Sequence, residues 1–130
     1  CWAVVSGLLL SNTIYALDFQ NKGLLLALEA GDPQRAARFL SLETIQHATA
    51  GSKSTQRTEE VVRAAAAAAK RANQPFVIGL STLYNGCTRA LNGQWARART
   101  LSDEAERIFR DKCKGVAWEI DTCQLFFLFS

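Results

Sequence analysis

Apolar residues return every three or four positions through most of this chain, and the rhythm is clearest between Pro75 and Gly115. Phe76, Leu80, Leu83, Cys87, Ala90 and Leu91 share one face of a helix that runs into an Asn92-Gly93 hinge. Trp95, Ala98, Ser102, Ala105, Ile108 and Phe109 share one face of a second helix. On its other side Arg99, Asp103, Arg107 and Asp111 alternate in sign at a spacing of four, as a solvated helix surface does. Two such helices, with small residues where they would cross, predict an antiparallel αα-hairpin. A hairpin of this kind cannot bury its apolar faces alone and needs neighbours. Trp95 heads the second stripe directly after the turn, so it is expected as a buried wedge between the two helices.

The rest of the chain extends the pattern. Residues 2–16, with Trp2, Val5, Leu8, Leu9 and Tyr15, read as a buried helix. They lack the basic start of a signal peptide, and Ser11, Asn12 and Thr13 interrupt any membrane span. Asp18-Phe19 reads as a break, followed by a second helix through Leu24, Leu25 and Leu28. Gly31-Asp32-Pro33 then supplies a left-handed stop, a cap and a helix start in that order. A third helix runs from Pro33 to about Ala50, and Gly51-Ser52-Lys53-Ser54-Thr55 forms a polar loop. Thr55 or Thr58 caps a fourth helix, with Glu59 and Glu60 favoured in its first turn. Its body is the run Ala64 to Ala69, which predicts a close helix crossing at Ala66 or Ala68 with Ala67 towards solvent. Asn73-Gln74-Pro75 repeats the earlier punctuation about 40 residues on, and Gly115 closes the next unit, a period that fits a helical array better than a closed bundle.

The expected architecture is therefore all-α. It has seven antiparallel helices near 2–16, 19–30, 33–50, 55–73, 75–92, 94–113 and 116–129, in one domain over 1–130. They group as pairs over 2–31, 33–73 and 75–114 and a half pair over 116–130.

Gly86, Gly93, Trp95, Ala98 and Ala105 fall at the spacing of the tetratricopeptide (TPR) signature. In that signature a small residue marks closest helix approach, Gly and an aromatic mark the turn, and two alanines lie on the second helix. Thr82, Asn85 and Arg89 depart from it, standing where a large aromatic, a leucine and a tyrosine are usual, and Arg110 replaces a common closing proline. The chain thus resembles a TPR-like repeat and not a regular one, which implies a right-handed superhelical array. By that resemblance, ligands lie along the first helix of each pair, here at Arg38, Leu42 and Ile45 and at Leu80, Leu83 and Cys87. That face is apolar enough for another part of a parent chain to fill it.

Composition narrows the function further. The chain has 130 residues, 48% of them hydrophobic, with a net charge of +3 and basic residues scattered among acids. This describes a globular chain and argues against nucleic acid as a partner. Cys1, Cys87, Cys113 and Cys123 form no CxxC pair and His47 is the only histidine, so no metal site is expected. Reduced thiols in a cytoplasmic protein are the expected state, with Cys87 a small buried hydrophobe. No phosphate-binding loop or nucleophile–base constellation is present, and no cofactor or catalytic residue is assigned. Arg35, Arg38, Arg57, Arg63, Arg71, Arg97, Arg99 and Arg107 read as solvated faces, or as the lining of a site for an acidic partner.

The segments Leu26-Ala27-Leu28-Glu29-Ala30-Gly31-Asp32-Pro33 and Lys112-Cys113-Lys114-Gly115-Val116-Ala117-Trp118-Glu119-Ile120-Asp121-Thr122 resemble the helical C-terminal regions of large bacterial multidomain serine/threonine kinases. In those proteins a kinase, and often an ATPase module, precedes TPR-like repeats. No kinase motif lies in these residues, so that resemblance places the activity in a parent chain. The expected function is a non-catalytic protein-interaction or regulatory segment of a bacterial signalling protein. The alternatives are the ligand-sensing array of a bacterial transcription regulator and an all-α enzyme fragment. The chain lacks methionine and starts and stops in apolar sequence, so it reads as a piece of something larger. Leu125 to Phe129 is an apolar end through which self-association is expected.

Overall fold

A computed structural model describes residues 13–49 and 55–129, which form six α-helices and, among these residues, no strand. They are α1 (Thr13–Ala30), α2 (Pro33–Thr49), α3 (Thr55–Ala72), α4 (Pro75–Leu91), α5 (Trp95–Lys112) and α6 (Ala117–Phe129). From α2 onward the boundaries lie within a residue or so of those the periodicity predicts. Residues 2–12 of the expected first helix and 51–54 of the polar loop lie outside the described residues.

The expected break at Asp18-Phe19 is not there: α1 is continuous from Thr13 to Ala30. The described residues thus form six helices, and the expected helix over 2–16 lies mostly outside them. Asp18 belongs to the outer face of this helix, where its carboxylate pairs with Lys22 Nζ at 2.7 Å. The face that α1 turns inward is made of Ala16, Gln20, Gly23 and Ala27, while Leu25 and Leu28 are exposed. Small residues win this face because Phe39 of α2 fills the space above Gly23, where an added Cβ would collide with the ring. Large side chains would hold the two helices apart.

Turn chemistry explains the helix ends. Gly31 takes a positive φ of 66°, and Asp32 N–H bonds back to the Ala27 carbonyl at 3.2 Å. Asp32 Oδ1 then accepts from the backbone N–H groups of Gln34 (3.0 Å) and Arg35 (3.2 Å), capping α2. Gly93 takes φ 74°, and Gln94 N–H bonds to the Arg89 carbonyl at 2.8 Å, closing α4 in the same way.

The helices pack as consecutive antiparallel neighbours, and α2 also lies against α4, as α4 does against α6. One apolar cluster runs through Ala27, Phe39, Leu42, Leu80, Leu83, Cys87, Phe109 and Cys123, with Ile45, Phe76 and Ile120 partly buried against it. A second joins Ala37, Ala68, Ala69 and Val77 where α2, α3 and α4 meet. In the alanine run, Ala65, Ala68 and Ala69 are buried, whereas Ala66 and Ala67 are exposed. Of the two expected crossing positions Ala68 is buried and Ala66 is not, and Ala65, three residues before Ala68 on the same helix face, takes the other place.

Between α4 and α5 the small residues do what their spacing implies. A Cβ on Gly86 would stand 3.3 Å from both Leu101 Cβ and Ser102 Oγ. Gly79 is tighter, at 2.8 Å from Phe109 Cε1. Trp95, however, is 49% exposed and is not the expected wedge. The close contact begins a turn later at Ala98, and the first residue of α5 is left on the flank.

Candidate functional site

Of the residues expected to meet a partner, Leu42, Leu80, Leu83 and Cys87 lie inside the protein's own core, in one cluster with Val116 at the start of α6 and Cys123 within it. A partner could reach them only by displacing helices that already cover them. Arg38 and Ile45 stay partly exposed. The Arg38 guanidinium lies 4.8 Å from the centroid of the Phe76 ring, a cation–π contact, while its buried Nε has no hydrogen-bond partner. Burial lowers the pKa of Arg38 from its ordinary value, and Asp32 and Glu119 act against that shift. The six residues therefore form a core with a partly open rim.

The polar groups with built geometry lie elsewhere. Arg89 is 2% exposed and is the only charged residue of α4. Its two terminal nitrogens fork onto Glu59 of α3, with Nη1 on Oε1 and Nη2 2.9 Å from Oε2. Its Nε donates to Asn85 Oδ1 at 3.1 Å. A planar guanidinium with donors in a fixed fork suits this role better than an ammonium would. The Glu59 carboxyl is held below its ordinary pKa chiefly by the Arg89 hydrogen bond, partial burial opposing, with Arg97 and Arg63 adding smaller attractions. Glu59 is not the first-turn carboxylate the sequence suggests, because it follows that turn in α3. A lone charge in an otherwise uncharged 17-residue helix was the signal that could have marked Arg89. Close by, Thr88 of the same helix donates to Thr44 Oγ1 of α2 at 3.1 Å.

His47 also has more company than its sequence neighbours suggest. Its Nε2 lies 3.2 Å from Glu43 Oε1, and Gln20 of α1 donates to Glu43 Oε2 at 2.8 Å. This chain fastens α1 to α2. Among the described residues no group of three or more His, Cys, Asp or Glu side chains could hold a metal, and Cys87, Cys113 and Cys123 are free thiols.

The outer surface carries apolar stripes. On α6, Trp118, Leu125 and Leu128 are 51%, 52% and 80% exposed, while Ile120 and Cys123 of the same helix pack inward. At 100° per residue the three side chains lie within about a quarter turn of each other. Phe127 points elsewhere, under the Arg99 guanidinium at 4.4 Å. No described helix is long and apolar enough to cross a membrane, so the stripe is not part of a helical span. No protein-family model matches the chain, and searches of curated proteins and of solved structures find no significant match.

Proposed function

We propose that this chain is a non-catalytic protein-interaction segment, built as a TPR-like array and belonging to a larger cytoplasmic bacterial signalling protein of the serine/threonine kinase type. The observation that carries the interaction reading is the exposed stripe Trp118–Leu125–Leu128 on a helix whose opposite side is anchored in the core. A stripe of large apolar groups on an anchored helix is the feature of a surface meant to be covered. Support for the array comes from the packing of α2 on α4 and of α4 on α6, the neighbour relation of first helices in successive pairs. Support for the signalling parent is the sequence resemblance of residues 26–33 and 112–122 alone. The covering group is another protein or another domain of the parent, and in the isolated segment a second copy would serve.

Photo-crosslinking in the full-length protein tests this. A photoreactive amino acid at position 118 should give discrete adducts, within the chain or to a partner, that are absent when it stands at position 57. The same smear from both positions would overturn the proposal.

A further inference from the structure

We infer that the exposed face of α6 takes α1 of a second copy of this chain. The inference rests on the reading of the Trp118–Leu125–Leu128 stripe as a surface to be covered, and it names what covers it.

α1 and α6 are the outermost described helices: α1 packs on α2, and α6 packs on α5 and α4. Each is anchored on one side and carries large apolar groups on the other. On α1, Ile14 and Leu25 lie on the side away from the buried Ala16 and Gly23, with Tyr15, Leu26 and Leu28 exposed beside them. On α6 the exposed groups are Trp118, Leu125 and Leu128. The described helices alternate in direction along the chain, so α1 runs the same way as α3 and α5. Set antiparallel against α6, an α1 from a second copy repeats the pairing of α2 with α3 and of α4 with α5.

Charge fixes the register. Asp121 is exposed within the α6 stripe, between Trp118 and Leu125. A carboxylate there is costly to cover with a purely apolar surface and calls for a cation opposite. The only cation of α1 is Lys22, which is exposed. With Lys22 opposite Asp121 in an antiparallel pair, Trp118 falls opposite Leu25, with Leu26 and Leu28 close by. Leu128 falls opposite Tyr15, next to Ile14, and the exposed Lys114 ahead of α6 falls level with the exposed Glu29. Two opposite-charge matches and two apolar matches thus share one register. Lys22 keeps its own Asp18 at 2.7 Å, and its ammonium has further donors for Asp121. Leu125 beside Asp18 is the poor match of the set. A parallel pair with Lys22 opposite Asp121 sets Leu128 on Glu29 and Lys114 on Tyr15, and so loses the matches at both ends.

The two faces differ, so the contact is head-to-tail, and each bound copy leaves a further α1 and a further α6 for the next.

Sedimentation velocity of the intact protein over a range of concentrations tests this. The parent should grow from monomer through dimer to longer species. Trp118→Glu and Leu25→Glu should each weaken association about thirtyfold or more, the effect of losing a buried anchor. An equimolar mixture of these two variants should form dimers and stop there, because one supplies an intact α1 and the other an intact α6. Lys22→Glu should weaken assembly about tenfold, and adding Asp121→Lys should restore it. All four positions are exposed, and an unchanged melting temperature shows that each variant is folded. A parent that stays monomeric at high concentration, a mixture that stays monomeric, or a Leu25→Glu protein that still pairs through α6 alone overturns the proposal. Crosslinking at position 118 to a different protein can succeed while the parent sediments as a monomer, so the two readings fail separately.

Discussion

Arg89 of α4 and Glu59 of α3 form a forked ion pair whose cation is buried and whose anion sits at the surface, 34% exposed. The buried guanidinium is tolerable only because Glu59 and Asn85 meet its donors. Removing Glu59 leaves that charge uncompensated. Glu59→Ala should therefore destabilise by about 3 kcal/mol, the low end for breaking a buried pair because water can enter from the Glu59 side. Arg89→Met together with Glu59→Leu should cost less than Glu59→Ala alone, since both charges then leave together. Urea denaturation of the three proteins measures the difference.

The same pair sets an acid dependence. The folded-state pKa of Glu59 lies below its ordinary 4.5, first through the Arg89 hydrogen bond. A depressed carboxyl pKa contributes stability that is fully present above 4.5 and is lost as pH falls through the lowered value. Glu106 is shifted in the same direction, first by its hydrogen bond with Arg110. Stability should hold from neutrality to about pH 5 and fall below it. Glu59→Gln should flatten part of that fall. An identical acid limb in parent and variant would show that the pair does not govern it.

Gly79 and Phe109 define the tightest point between α4 and α5. A Cβ at Gly79 would stand 2.8 Å from the ring of Phe109, which also lies 6.0 Å, centroid to centroid, from Phe76. Gly79→Ala should destabilise by about 1–3 kcal/mol through overpacking, despite the better helix propensity of alanine. Phe109→Ala should cost about 3–5 kcal/mol. A Gly79→Ala protein with an unchanged or raised melting temperature would mean that the ring yields freely.

The alanine run gives a test at four neighbouring positions. Ala65 and Ala68 are buried, and Ala66 and Ala67 are exposed. Leucine at either buried position should cost about 1–3 kcal/mol, and leucine at either exposed position should be close to neutral. Thermal melts of the four variants should fall into two groups.

Much of this fold was readable from spacing. The stops at Gly31 and Gly93 and the starts at Pro33 and Pro75 are local chemistry, so they appear in sequence and structure alike. Faces were harder where large and small residues compete. On α1 the leucines look like a core, yet Gly23 and Ala27 hold the inward positions because Phe39 supplies the bulk from the next helix. Trp95 misleads in the same way: a large apolar residue at the head of a stripe is not buried when its smaller neighbours already bring the helices together. The Arg89–Glu59 pair links residues 30 apart on different helices, and no short-range pattern carries such a contact. The exposed stripe of α6 was legible as apolar sequence, but which of its residues face outward depends on how α6 rotates against α4 and α5.

The thiols report whether α6 stays seated. Cys123 of α6 and Cys87 of α4 are buried in the same cluster, and Cys113, between α5 and α6, is only partly covered. Burial raises the pKa of all three, and Cys123 is pushed up to about 12. Because the thiolate is the nucleophile, a buried thiol of this kind reacts only when its cover opens. Iodoacetamide at pH 8 should modify Cys113 first, and reach Cys87 and Cys123 at rates set by local opening. Peptide mass spectrometry over time resolves the order. If Cys123 is alkylated as fast as Cys113 while Cys87 remains protected, α6 opens at its own C-terminal half without exposing α4. Joint, slow labelling of Cys87 and Cys123 is the expected result, because one opening of α6 from α4 uncovers both.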